Sequence, residues 1–252
     1  MLRAWLALAV LCAGTAWAAG PSYSAAGIVN ASNYASGPFA PNSIISIFGS
    51  GLARSTQAAP AGNTVPTELN YVRVYVQDQL VPLLFVSATQ INFIMSSVQN
   101  PGQVRVRVVT EGLTGPEVTV TLVGSAPSLF PNLDLDGYAL ATSADNKLLT
   151  PDAPAHPGDI IVIWITGLGR TSPNPKPGEV PNYAAQVVSL ASLKVTLGGM
   201  AMDPTLIKYA GLTPGWPGLY QINLYIPEGV GTDPELKVTG DVTSSGLKLA
   251  IR

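Results

Sequence analysis

Few side chains in this sequence are suited to catalysis. His156 is the only histidine in 252 residues and Cys12 the only cysteine. A Ser-His-Asp hydrolase or an imidazole metal site would have to use His156. It stands directly before Pro157 at the entrance to an apolar run, where it reads as a solvated turn residue. Gly49-Ser50-Gly51 lacks the Gly-x-Ser-x-Gly spacing and the strand-turn-helix context of a nucleophile elbow. Asn132-x-Asp134-x-Asp136-Gly137 matches the first half of an EF-hand-type calcium loop, with oxygens at positions one, three and five and glycine at six. Position twelve, which should offer a bidentate acid, is Ser143. Calcium is therefore the one cofactor with candidate ligands, Asn132, Asp134 and Asp136, and an Asp-Gly turn explains the same residues more simply. No phosphate-cradling loop, metal-spaced cluster or convincing pair of acids appears. The expectation is a protein that is not an enzyme.

The remaining candidates are surfaces. Trp216 sits in Leu212-Thr213-Pro214-Gly215-Trp216-Pro217-Gly218, held between two Pro/Gly turns, with Tyr220 four residues on. Exposed, these two rings would stack on a sugar or a protein partner. Large aromatics are mostly buried, so Trp216 is expected to plug the end of a sandwich core or a domain junction. Gln90 and Asn92, like Gln221 and Asn223, share one strand face, and such amides are expected to bond to the backbone of a crossing loop. Trp164 reads as core.

The elements that would position these groups are strands. The chain contains 25 Gly and 22 Pro, and between them lie short alternating runs such as Val72–Val76, Gln103–Val108 and Gly246–Ile251. Their apolar faces require a second sheet to cover them. The chain also repeats itself. Pro41–Leu52 is answered by Pro157–Leu168 without a gap, Val72–Val76 by Leu193–Leu197, Phe85-Val86 by Tyr209-Ala210, and Gln90–Ile94 by Gln221–Tyr225. A shared order of motifs over about 100 residues means one fold used twice, with the boundary near Gly124–Ser128. The segment Pro131–Pro157 is expected to supply a short hairpin between the copies, Ser172–Gly178 an extended surface loop, and Ala184–Leu193 a turn or two of helix.

The first 18 residues have the layout of a cleaved signal peptide: a charged start at Arg3, an apolar run from Ala4 to Gly14, and Ala16-Trp17-Ala18 as the cleavage site. That run is too short to span a bilayer, and Leu11 precedes Cys12 where a lipoprotein signal takes a small residue. Export to the extracellular space, the cell surface or the periplasm is expected, with no membrane insertion after cleavage. Charged residues make up 11% of the chain, 13 basic against 15 acidic. That is sparse beside a typical figure of about 25%, and it leaves no electrostatic footprint for nucleic acid.

The run Pro41-x-Ser43-Ile44-Ile45-Ser46-Ile47-Phe48-Gly49-Ser50-Gly51-Leu52, followed by Phe85-Val86-Ser87 and Gln90-Ile91-Asn92-Phe93, resembles IPT/TIG-type immunoglobulin-like domains. Gly27–Ala31, Gly167-Leu168-Gly169, Tyr209–Gly215 and Gly218–Asn223 are similar to the C-terminal β-domains of secreted Solibacter-type acidobacterial proteins. That resemblance implies an exported β-sandwich and brings no activity with it. The expected architecture is all-β: a signal peptide at 1–18, then two tandem immunoglobulin-like antiparallel sandwiches at 19–125 and 126–252. The expected role is adhesion, scaffolding or protein interaction outside the cell. Carbohydrate binding through the Trp216 loop is the alternative, and a hydrolase using His156 comes third. The partner is an extracellular protein or a polysaccharide.

Overall fold

The computed structural model describes residues 20–252, so the expected signal peptide lies outside the described residues. In the first half the strands are β1 (Ser22–Asn30), β2 (Ile44–Ser50), β3 (Gln57–Ala58), β4 (Val72–Val76), β5 (Gln79–Leu80), β6 (Leu83–Val86), β7 (Gln90–Ile94), β8 (Gly102–Thr110), β9 (Leu113–Thr114) and β10 (Val118–Leu122). One antiparallel sheet runs β1-β2-β7-β6-β3 and the other β10-β8-β4-β5, with β9 added to β8. The strict alternation of the sequence explains the layering. Val72, Val74, Val76, Val104, Val106 and Val108 turn inward from the second sheet and are buried against Ile45, Ile47, Ile91 and Phe93 of the first. Full burial of each such side chain is worth about 1.5–3 kcal/mol.

The second half repeats this plan with β11 (Ser128–Leu129), β12 (Ala141–Ser143), β13 (Ile160–Thr166), β14 (Thr171–Ser172), β15 (Ala185–Val187), β16 (Lys194–Leu197), β17 (Met200–Ala201), β18 (Ile207–Thr213), β19 (Trp216–Tyr225), β20 (Glu235–Thr239) and β21 (Leu247–Lys248). The larger sheet runs β11-β13-β19-β18-β15-β14, with β12 also on β13, and the smaller runs β17-β16-β20-β21. The repeat extends to the register. Phe48 lies opposite Gln90 and Trp164 opposite Gln221, while Asn92 and Asn223 face Phe85 and Tyr209 respectively. The fold is all-β, two antiparallel sandwiches in tandem. Among the described residues no helix is long and apolar enough to cross a membrane.

One local expectation needs revision. Ala184–Leu193 forms β15 and a single 3-10 turn at Leu190–Ser192, because Ala185 and Val187 alternate with Gln186 and the free edge of β18 supplies partners. The proline loop after β14 lies at the surface as expected, with Ser172, Pro173, Asn174, Lys176 and Pro177 exposed, and it is also held in place. It docks on the first sandwich, where Val65 N donates to Gly178 O (2.7 Å), Val180 N to Asn63 O (3.1 Å) and Asn42 Nδ2 to Asn174 Oδ1 (3.2 Å). Pro175 is buried. Glu179 organises this loop, accepting from Lys176 N (2.8 Å) and from the Tyr183 hydroxyl (2.9 Å).

Ser125–Leu129, which join the two halves, are buried. Ala126 N donates to Gly167 O (2.8 Å), and Asp241 Oδ2 accepts from Gly124 N (2.8 Å) and Ser125 N (3.2 Å). Gly167 and Gly169 have φ of +82 and +92, and a Cβ on either would collide with a carbonyl oxygen, of Ala126 and Gly124 respectively. Thr166 links the sandwiches as well: Ile44 N donates to its Oγ1 (3.2 Å), and that hydroxyl donates to Gly218 O (2.8 Å). Arg170 reaches across to the 97–100 loop, donating to Ser97 O (3.0 Å), Val98 O (3.3 Å), Gln99 O (2.9 Å) and Asn100 Oδ1 (3.2 Å).

Two predictions follow from these contacts. Gly137 also has a positive φ, +78, but open space around it, so Gly137→Ala should cost only the left-handed strain of about 1–2 kcal/mol. Gly167→Ala should cost clearly more in urea unfolding, because it adds a backbone collision to the same strain. The second concerns pH. The hydrogen bonds from Lys176 N and then from Tyr183 hold the Glu179 carboxyl below its ordinary value. Their stabilisation is therefore present above about pH 4 and lost as the pH falls through the depressed value. Glu179→Gln should show a shallower fall in melting temperature than the parent between about pH 5 and pH 3.

Candidate binding surface

On β13 the residues Ile161, Ile163 and Ile165 point into the core, so Trp164 points out. The same parity on β19 buries Tyr220, Ile222 and Leu224 and turns Leu219, Gln221 and Asn223 to the outer face. Trp164 is flanked by Gln221 on one side and by Leu140 on the other, whose carbonyl accepts from Trp164 N (3.1 Å). Phe130 N donates in turn to the Trp164 carbonyl (3.2 Å). Trp164 is thus a half-buried residue of the outer face, not core.

Trp216 is 65% exposed, which overturns its expected role as a plug. Counting back by twos from Tyr220 would turn it inward. The pleat is broken at Gly218, which takes φ +80 with its Cα against Ile44 of the first sandwich, and the register of β18 with β19 slips at the same place. A glycine in this conformation shifts the alternation by one residue. Pro214-Gly215, with Gly215 at φ +83, closes the turn so that Thr213 faces Trp216. Trp216 and Leu219 therefore share one side with Trp164.

Together Phe130, Leu140, Trp164, Trp216 and Leu219 line an open, uncharged groove of about 410 Å³. An indole left this exposed keeps on the order of 150 Å² of apolar surface in water that a ligand could cover. Beside the groove lies a broader cleft of about 630 Å³, which shares Phe130 and Leu140 with it and continues to Ala31–Tyr34 of the first sandwich and Leu133 of the loop after β11.

The other candidates fall elsewhere. Tyr220 is fully buried, so it cannot stack on a ligand; its hydroxyl donates to Gly169 O, and burial pushes its pKa up. The amide pairs do not reach a crossing loop. Gln90 Nε2 donates to Asn92 Oδ1 (2.8 Å) and Gln221 Nε2 to Asn223 Oδ1 (2.9 Å), each pair bonded along its own strand on the outer face. Asn132 is buried in an Asx turn, its Oδ1 accepting from Asp134 N (3.0 Å), while Asp134 and Asp136 point to solvent. The three do not converge. His156 is exposed in the turn before β13, its backbone N–H bonded to Asp159 Oδ2 (2.8 Å) and its Nδ1 3.8 Å from the same oxygen. Among the described residues no three His, Cys, Asp or Glu side chains are grouped to hold a metal.

Paired sheets of this order and register define an immunoglobulin-like sandwich, and the first copy can be placed more narrowly. Residues 28–124 match the family model of the IPT/TIG domain, in agreement with the resemblance carried by Pro41–Leu52. No curated protein matches the chain. Solved structures that overlap it include the Gamma-CGTASE of Alkalophilic bacillus clarkii (13% identity, TM-score 0.27, 91% of this chain and 25% of that one). Others are the Bacteroides ovatus mixed-linkage glucan utilization locus protein SGBP-B in complex with a mixed-linkage heptasaccharide (9%, 0.29, 84% and 44%) and the tandem Ig repeats of Dlar (11%, 0.22, 92% and 94%). The chain thus spans a quarter of the first and under half of the second. At these TM-scores the overlaps carry no argument about function.

The separation of Tyr220 from the groove is testable. Tyr220→Phe should lower stability by about 1 kcal/mol through the lost buried hydrogen bond. Ligand binding at the Trp216 groove should be unchanged when affinity is measured on the folded variant.

Proposed function

We propose that this chain is an exported, non-catalytic binding module whose second sandwich takes up neutral polysaccharide on its indole face. The unit is of the kind found in secreted Solibacter-type proteins. Residues 19–125 and 126–252 form its two domains, and it works in the extracellular space or at the cell surface. The observation that supports this reading is the exposed Trp216 indole standing in an uncharged groove with Trp164. A pyranose ring offers an apolar face of C–H groups, which suits the electron-rich face of an indole. The Gln221–Asn223 pair keeps donors and an acceptor free beside Trp164 for ring hydroxyls.

A second reading, docking of a protein in adhesion or scaffolding, is favoured by Leu133, which is 93% exposed on the rim of the adjoining cleft. Contiguous apolar surface of this kind is what protein interfaces use.

Affinity gel electrophoresis against xylan, mixed-linkage β-glucan, glucomannan and amylose separates the two. Retardation by at least one of these polymers is expected. Trp216→Ala should abolish it while leaving stability within about 0.5 kcal/mol, since the residue is a surface one. Migration unchanged by all four polymers would reject the glycan reading in favour of protein docking.

A further inference from the structure

The first sandwich carries a second copy of the same constellation. Phe48 lies opposite Gln90 as Trp164 lies opposite Gln221, and each glutamine donates to the asparagine two residues on. In the first copy Asn92 Oδ1 also accepts from Ser46 Oγ (2.9 Å). Phe48 is joined by a second ring, Tyr34, edge-on at 5.6 Å and 66°. Tyr34 is 62% exposed and lines the junction cleft, whose far wall is Phe130 and Leu140. Those two residues are also a wall of the Trp216 groove. The aromatic surface is therefore continuous from Phe48 and Tyr34 on one sandwich to Trp164 and Trp216 on the other.

This face also carries less charge than the opposite one, with Asp134 on the junction cleft and Lys208 on β18 as its exposed charges. The β10-β8-β4-β5 and β17-β16-β20-β21 sheets display charge, with Arg73, Arg105 and Arg107 on the first sandwich and Lys194 and Lys237 on the second. An outer face kept only for solubility would be charged in the same way. Rings beside uncharged amides, set out twice in one register, match a ligand that is itself a repeat of apolar faces and hydroxyl groups.

We propose a second subsite on the first sandwich, formed by Tyr34 and Phe48 with the Gln90–Asn92 pair. It acts with the Trp216 groove so that one linear, neutral polysaccharide lies across both sandwiches. This rests on the glycan reading above and adds its length and direction. The buried junction, with Arg170 and Thr166 spanning it, holds the two subsites in constant relation, so engagement of the second is an intramolecular event.

The test is calorimetric titration of the protein with xylohexaose, cellohexaose, mannohexaose and maltohexaose and with the matching disaccharides. The preferred hexasaccharide should bind at least tenfold more tightly than its disaccharide. Tyr34→Asn, chosen because Tyr34 sits at φ 58 where asparagine is tolerated, should cut hexasaccharide affinity about tenfold and leave the disaccharide unaffected, the outcome expected of two linked subsites. Phe48→Thr, a β-branched replacement suited to a strand, should act in the same direction and serves if Tyr34→Asn does not fold. Trp216→Ala should weaken both ligands. Loss of binding in Trp216→Ala with full hexasaccharide affinity in the Tyr34 and Phe48 variants would overturn the second subsite and leave the first reading standing. No binding of any oligosaccharide by the parent protein would overturn both.

Discussion

The relation between the two sandwiches rests on the close approach of backbone to backbone at Gly167 and Gly169. The carbonyls of Ala126 and Gly124 occupy the space a side chain would need at those positions, so the connection can lie flat against the end of β13. From that contact β11 pairs with β13, and the Ser128 hydroxyl comes to 2.6 Å from that of Ser32. The turn holding Tyr34 is thereby brought to one side of a cleft with Phe130 on the other. Gly218 is a third close approach, here with the Ile44 side chain in the space a Cβ would need, and it is this glycine that turns Trp216 outward. A single requirement, closeness at the junction, thus both joins the halves and shapes the groove.

The outer faces of the sheets divide the work. Solvation of the protein falls mainly to the β10-β8-β4-β5 and β17-β16-β20-β21 sheets, where arginines and lysines alternate with core valines and leucines. The sheets on the other side, β1-β2-β7-β6-β3 and β11-β13-β19-β18-β15-β14, carry little of that charge, Lys208 on β18 excepted, and show rings and amides. Exposed apolar surface carries a free-energy cost in water, and the amides limit it by satisfying one another along the strand, which keeps their remaining polar groups available without a charge. On the proposed reading, this face takes a neutral ligand that presents hydroxyls and a hydrophobic ring plane together.

Much of this was legible in the residue order. Period-two alternation in Val72–Val76 or Gln103–Val108 determines which side chains are buried once a second sheet is present, since successive Cβ atoms point to opposite faces. The gapless match of Pro41–Leu52 to Pro157–Leu168 carried the doubling of the fold, and the shared Gln-x-Asn motif carried the register, because equal spacing on paired strands leaves equal partners. The IPT/TIG likeness of the first half was carried by the same motifs. Features that depend on local composition were readable because the backbone alone decides them.

What only the tertiary structure decided concerns distance between segments far apart in the chain. Trp216 and Tyr220 look equivalent in sequence, yet one is exposed and the other buried, because the reversal at Gly218 depends on a neighbour 174 residues away, Ile44. The proline loop reads as a surface loop, and nothing in its composition tells that Gly178 O and Val180 N meet Val65 and Asn63 of the first sandwich. The amide pairs bond within their own strand rather than to a loop, which depends on what does or does not cross above them. Local pattern sets the parity of a strand; an approach by another part of the chain can break that parity, and its cause is then absent from the pattern itself.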